Sequence, residues 1–478
     1  MRKALMLVAL IAFFFPAAGL SQDGRKTLEA TGKALGADSL KSLQFSGTGS
    51  SFASGQSAVP GAPWPKFNLV SFTRQINYET ASVRDDLVRT RAEMPPRGGG
   101  TPGMGELRQI LVARGDHAWS VTGETSTATP IALVERQLQI WGSPHGFIRA
   151  ALANGALVSG RTISFASGGK FMVKATLDDQ GLIGTIDAVV SNPVVGDMPI
   201  QLSYADYKDF GGVKIPMRIR QSAGGFPTFD LTVTDVRTNA AVDVQVPDSV
   251  RQATMPYARV ASEQPAPGVW YIAGGSHHSV AIEMQDHVIL VESPLNDERA
   301  MAVFAETRRL VPGKPIRYVV ASHHHFDHAG GLRAAASEGI TVIVQESSRA
   351  FFEQSLAAPA TVTPDRQARA GKKPVVEGVR DRRTMADGTR TVEIFHIAGN
   401  THGDSLLMVY LPKERFLVEA DVFTPPPPNA PPPAAVNPLS VNLAENISRL
   451  GLSVDQFLPL HGRIVPASDF ERAIRRAN

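Results

Sequence analysis

The segment Ser322-His-His-His-Phe-Asp-His-Ala-Gly-Gly331 gathers four ligand-capable side chains: His323, His325, Asp327 and His328. Packed this tightly, imidazoles and a carboxylate repel or stand idle unless a cation joins them. Neutral imidazole and carboxylate are the donors zinc takes where thiolate is lacking. The segment follows directly on the apolar run Ile316–Val320, which reads as a strand. The cluster therefore sits on a loop at a strand's C-terminal edge, where α/β layers build their sites. Gly330 and Gly331 let the backbone turn close behind the ligands. A solvated histidine tract would lack the strand before it, the aspartate within it and the glycine pair after it.

The rest of the composition sharpens this reading. The chain has 478 residues and no cysteine, which excludes disulfides, cysteine nucleophiles, iron–sulfur clusters and thiolate zinc. Any metal must be held by nitrogen and oxygen. Of the 12 histidines, only His117 and His145 precede residue 270, so the chemistry belongs to the C-terminal half. The net charge of +3 carries no basic stripe with interleaved aromatics, so no nucleic-acid partner is expected. A Gly-x-Ser-x-Gly nucleophile motif is absent.

The His-x-His-x-Asp-His pattern after a strand resembles the signature of the metallo-β-lactamase superfamily, with Ser322 where the family has Thr. Three later segments follow the family's order. Gly399-Asn-Thr-His-Gly-Asp-Ser405 resembles the third-histidine loop and offers His402. The stretch Glu414–Phe423 resembles the strand and loop ending in the bridging acid, Asp421, with Ala420 in place of the usual Gly. Phe457-Leu-Pro-Leu-His-Gly462 resembles the last strand and offers His461. The resemblance spans roughly residues 268 to 478. It implies an αββα sandwich with two divalent metal ions at the edge of its sheets. One metal would be held by His323, His325 and His402, the other by Asp327, His328 and His461, with Asp421 bridging. Zinc fits this set best, and iron or manganese accept the same donors. Asp327 would also orient an attacking water and take its proton.

These positions need a scaffold. Val269–Ile272 and His287–Glu292 read as short strands. Asn296 can cap a helix from Asp297 to Leu310, with Arg308 and Arg309 in its last turn. The strand Ile316–Val320, a short helix after Gly331, the strand Ile340–Val344 and a helix near Glu346–Leu356 follow. Before residue 250 the period is two: Phe229, Leu231 and Val233 alternate with polar residues, as in a half-buried strand. One or two helices are expected there, one of them Pro144–Ala153, stopping at Asn154-Gly155. The stretch Tyr204–Pro216 resembles a strand pair of the curved-sheet LolA/LolB carriers, which implies a concave apolar face or one filled by a helix. The fold class is thus α+β: a mainly antiparallel β domain at residues 22–250, a linker at 251–267 and the αββα domain at 268–478.

The first 21 residues read as a secretory signal. Arg2 and Lys3 precede the apolar run Ala4–Phe15, and small residues follow. This implies a periplasmic or secreted bacterial protein with no membrane span after cleavage. The loop Glu93–Gly103 reads as flexible surface, and Ala358–Arg383 as a basic, Gly/Pro-punctuated insert. The proline run Thr424–Pro433 reads as a stiff rim beside the metals. His277 and His278, between the first two strands of the C-terminal domain, are candidates for contact with a small-molecule substrate. His324 would point away from the metals, and His396 lies within a strand. The expected activity is hydrolysis of an ester, lactone, thioester or related bond by a metal-activated water. An aspartate at the bridging position differs from dedicated β-lactamases of the superfamily, which usually have Cys or Ser there, so β-lactam turnover is kept only as a lesser alternative. The alternatives are an iron redox enzyme on the same fold and a periplasmic lipid or ligand carrier built on the N-terminal sheet. The sequence leaves the oligomeric state open.

Overall fold

The computed structural model describes residues 22–99, 105–167, 171–253, 259–428, 430 and 435–475. The expected signal segment lies outside these residues, as do parts of the 93–103 loop and of the proline run. Among the described residues no helix is long and apolar enough to cross a membrane.

Thirteen antiparallel strands between Ser42 and Thr238 form one sheet made of two meanders. The first meander runs outward from Ser42–Phe52 to an edge at Thr125–Ala128. Helices Leu133–Trp141 and Pro144–Ala153 carry the chain to the opposite edge at Leu157–Ser159. The second meander then returns to Phe226–Thr238, which pairs with the first strand. An antiparallel sheet with one apolar face must cover that face. Here helices cover it: Leu28 and Leu35 of Gln22–Leu35, Ile140, Phe147 and Ile148 pack on Phe45, Phe72, Ile186 and Leu202. The helix Pro144–Ala153 starts where Ser143 accepts a hydrogen bond from the Gly146 amide and stops before Gly155, whose φ is 61°.

The C-terminal part stacks two sheets. The first, of seven strands, begins with antiparallel pairs and turns parallel through Val288–Val291, Ile316–Val320, Thr341–Gln345 and Val376–Val379. The second, of six strands, runs from Arg382–Ala386 to Val465–Pro466. Val269, Ile282, Val291 and Val320 meet Ile394, Val409, Val418 and Leu458 between the sheets. Helix Asp297–Leu310 and its neighbours cover the outer face of the first sheet, and helix Pro438–Arg449 that of the second. The order is helix, sheet, sheet, helix.

Three segments differ from expectation. Ala261–Ala266, inside the stretch read as a linker, is the edge strand of the seven-stranded sheet. The 358–383 insert is partly regular: it holds a helix, Arg366–Ala370, capped by Asp365, and the strand Val376–Val379. Its Gly and Pro residues bound these elements rather than dissolve them. The loop after Arg91 is anchored rather than loose. Gly98 and Gly99 are buried, their amides donate to the Thr401 and Gln56 carbonyls at 2.8 Å, and Arg91 binds the Gly98 and Gly99 carbonyls.

Candidate metal centre

Every histidine and aspartate named above as a ligand lies just past a strand, at one end of the two sheets. The loop after Ile316–Val320 is tied to the second sheet by the Leu407 amide, which donates to the Ser322 carbonyl at 2.7 Å. His325 then occupies the N-cap position of the short helix Phe326–Ala329, which carries Asp327 and His328. The glycine pair is required by crowding. A Cβ on Gly330 would lie 2.0 Å from the Leu295 carbonyl oxygen, and the Gly331 amide donates to Ser293 O at 2.9 Å.

Two groups of donors converge. In the first, His323 Nε2 lies 2.9 Å from His325 Nδ1 and 3.3 Å from His402 Nε2. Asp421 Oδ2 is 3.3 Å from His323 Nε2 and 2.9 Å from His402 Nε2. In the second, His328 Nε2 and His461 Nε2 are 3.2 Å apart. Asp421 reaches this pair too, with Oδ2 3.0 Å from His328 Nε2 and Oδ1 2.8 Å from His461 Nε2. Asp327 Oδ2 stands further off, 3.9 Å from His328 Nε2. Asp421 holds its place between the groups at a φ of 65°, a left-handed backbone that few non-glycine residues adopt and that aspartate tolerates better than most.

On four of the five rings, all but His402, the opposite nitrogen is anchored, which decides which nitrogen faces inward. His323 Nδ1 meets Ser322 Oγ at 2.9 Å, His328 Nδ1 meets Glu292 Oε2 at 3.3 Å, and His461 Nδ1 meets the Ser276 carbonyl at 2.5 Å. His325 Nε2 meets the Ser57 carbonyl at 2.9 Å. That carbonyl comes from the N-terminal domain, as does Gln56, whose Nε2 donates to Asp327 Oδ1 at 2.8 Å. The connection between strands Ser42–Phe52 and Lys66–Asn77 thus reaches across and closes over the centre.

The electrostatics show a cluster short of positive charge. Burial, together with His328, holds His323 well below the usual imidazole range, and burial with His323 and His402 does the same for His325. Burial opposes a charge on His328 as well, yet Asp421, Asp327 and Glu292 push its affinity for a proton well up. Asp421 stays well below the usual carboxylate range: burial alone would raise it, and His328 and His402 overcome that. Five imidazole nitrogens and the Asp421 carboxylate each lie within 3.3 Å of another member of the cluster, with Asp327 just outside it. An all-nitrogen-and-oxygen set of this kind fits divalent metal.

The remaining candidates fall in different places. His277 is buried; its Nε2 lies 3.3 Å from Asp327 Oδ2, and its ring groups with His328 and His461. His278 has both nitrogens on backbone groups, the Gly274 amide at 3.1 Å and the Gly462 carbonyl at 3.0 Å. His324 points away from the centre to Ser405 Oγ at 2.6 Å and the Ser57 carbonyl at 2.9 Å. His396 bonds the Asp404 carbonyl at 2.9 Å. Gln56, Ser57 and Glu292 escaped the sequence reading. Glu292, an acid closing an apolar strand, carried a signal; Gln56 and Ser57 carried none.

A cavity of about 780 Å³ opens on the centre between the two domains. Phe67 and Arg89 line it from the N-terminal sheet, and Asp327, His402, Asp421 and Phe423 from the C-terminal part. Thr424 and Pro426, the start of the proline run, also stand at its wall.

Residues 272–446 match the family model of the metallo-beta-lactamase superfamily. Over 207 residues the chain is 29% identical to the 2,4-dinitroanisole O-demethylase subunit alpha of Nocardioides sp. strain JS1661, a match spanning 42% of this chain and 58% of that one. Among solved structures, a metallo-beta-lactamase from Pontibacter korlensis is 16% identical, with TM-score 0.35, over 45% of this chain and 97% of its own. One from Hirschia baltica is 18% identical, with TM-score 0.35, over 46% of this chain and 99% of its own. The C-terminal part of the chain, matched by that family model over residues 272–446, thus has the metallo-β-lactamase fold, set behind a large antiparallel sheet.

Proposed function

We propose that the protein is a hydrolase dependent on two divalent metal ions, with zinc the metal that suits its donors. His323, His325 and His402 would hold one ion, and Asp327, His328 and His461 the other, with Asp421 shared. The observation that carries this reading is the position of Asp421, whose carboxylate lies within 3.3 Å of imidazole nitrogens from both groups. When bound, such a metal pair supplies Lewis acidity and brings the pKa of a water towards neutrality.

The protein's own groups do the rest. Gln56 and His277 grip the two oxygens of Asp327 from opposite sides, so the carboxylate is fixed where it can take a proton. Glu292, Ser322 and the Ser57 carbonyl keep the imidazoles in one orientation. The loop carrying Gln56 and the aromatic walls Phe67 and Phe423 narrow the access of bulk water to the reacting bond. The charged run before the apolar stretch Ala4–Phe15 supports work outside the cytoplasm.

The test is a panel of ester, lactone, thioester, sulfate ester, phosphodiester and β-lactam substrates at defined metal content. An aryl methyl ether joins the panel because the Nocardioides relative is named for O-demethylation. Hydrolysis of at least one class, abolished by a chelator and restored by zinc, is the expected result. Stoichiometric iron with redox turnover and no hydrolysis would overturn the reading.

A further inference from the structure

The cavity over the metal centre has a feature that the hydrolytic chemistry does not use. Strand Ser82–Arg91 turns alternate residues towards the face covered by the helices: Val83, Asp85, Leu87, Arg89 and Arg91. Two of the three charges on this stripe are answered. Asp85 forms a two-pronged ion pair with Arg74, at 2.7 Å for each oxygen. Arg91 binds the carbonyls of the loop that follows it.

Arg89 is different. Its guanidinium lies 4.2 Å from the centroid of the Phe67 ring, and its Nη1 reaches Ser51 Oγ only at 3.5 Å. Its Nε is buried with no hydrogen-bond partner, and among the described residues no carboxylate pairs with it. Burial and the adjacent Arg91 push its pKa down to about 10. A half-buried cation without a counter-charge is costly, and a guanidinium answers best to an oxyanion it can grip with two N–H groups.

We infer that Arg89 is an anion subsite of the substrate cavity, binding a carboxylate or comparable oxyanion on the part of the substrate remote from the metals. The cavity joins the two ends. Arg89, Asp327 and Asp421 line the same space, and Phe67, Leu107, Phe423 and Leu439 supply apolar walls between them. About 780 Å³ accommodates a small organic molecule of the usual ligand size. The ligand class is an apolar acid that carries a hydrolysable bond at its other end. The anion is bound and released unchanged, so no covalent step is added. This assignment rests on the hydrolase reading only for the identity of the reacting bond.

Two chromogenic esters of similar size test it: mono-4-nitrophenyl glutarate, which keeps a free carboxylate, and 4-nitrophenyl butyrate, which has none. The wild-type protein should prefer the acidic ester in kcat/KM by tenfold or more. Arg89→Gln should erase that preference through KM, and Arg89→Lys should restore part of it. Both variants should retain the wild-type metal content. Isothermal titration with glutarate separates the two readings. If neither ester is hydrolysed but glutarate binds wild type at least tenfold more tightly than Arg89→Gln, the hydrolase reading fails and the subsite stands. Equal use of both esters, with glutarate bound alike by wild type and Arg89→Gln, would overturn the subsite.

Discussion

His324 and His325 are neighbours that share one carbonyl, Ser57 O, yet only His325 turns a nitrogen towards the other imidazoles. His325→Ala should therefore lower metal binding at the first group, read as equivalents retained after dialysis. His324→Ala should keep those equivalents. It removes hydrogen bonds to Ser405 and Ser57 from a buried position, so it should cost about 1–3 kcal/mol of stability in chemical denaturation. Metal loss from both variants alike would contradict the assignment. His277 poses a sharper question, since its Nε2 can face either Asp327 or a metal held by His328 and His461. A zinc titration of His277→Ala that shows weakening of one site by tenfold or more would make it a ligand; unchanged affinity would leave it orienting Asp327. At Gly330 the new methyl of Ala would meet backbone, the Leu295 carbonyl, so Gly330→Ala should destabilise by about 1–3 kcal/mol. Much at this scale was legible beforehand, because His323, His325, Asp327 and His328 are bound together by the sequence itself. Gln56 was not, because it meets Asp327 across 271 positions and no local pattern records such a contact.

At the scale of elements, legibility followed caps and periodicity. Asn296 at a helix start and Asn154-Gly155 at a helix end mark helices that form where expected, Asp297–Leu310 and Pro144–Ala153. Helices Gln22–Leu35 and Leu133–Trp141 escaped notice. The first buries a stripe of Leu28, Thr31 and Leu35, too mixed to announce itself, and only packing on the sheet stabilises it. That packing has a pH signature. His145 of helix Pro144–Ala153 meets the Leu35 carbonyl at 3.1 Å, and burial pushes its pKa down to about 4. The unfolded chain binds a proton at this residue below about pH 6.5, whereas the folded chain resists it until about pH 4. The contribution of His145 is therefore complete above pH 6.5 and is lost as the pH falls towards 4, by an amount on the order of 3 kcal/mol. His145→Gln keeps a side-chain N–H and should flatten the stability profile between pH 6.5 and 4. An unchanged slope would show that other groups govern acid sensitivity.

At the scale of the whole molecule, the N-terminal sheet forms a wall of the metal cavity as well as a separate core. Its 53–65 connection hydrogen-bonds Asp327 through Gln56 and His325 through the Ser57 carbonyl, and the 98–99 turn is anchored to Thr401 beside His402. A carrier domain working independently of the metals would not need those contacts. Replacing residues 54–62 with a Gly/Ser segment of equal length should lower turnover at least tenfold, while the circular dichroism of the sheets persists. Full turnover would detach the N-terminal domain from the chemistry. Two-domain order was readable from the change of period near residue 250 and from the histidine asymmetry. The reach of one domain into the other's site was not, because it is made by loop contacts, such as Gln56 to Asp327, between positions far apart in sequence. Whether two divalent ions share Asp421 is decided by elemental analysis of the wild-type and Asp421→Asn proteins, each stripped with chelator and reloaded with zinc. Two equivalents per wild-type chain and one or fewer in the variant are expected. A single equivalent in the wild type, or two held equally by the variant, would contradict that sharing.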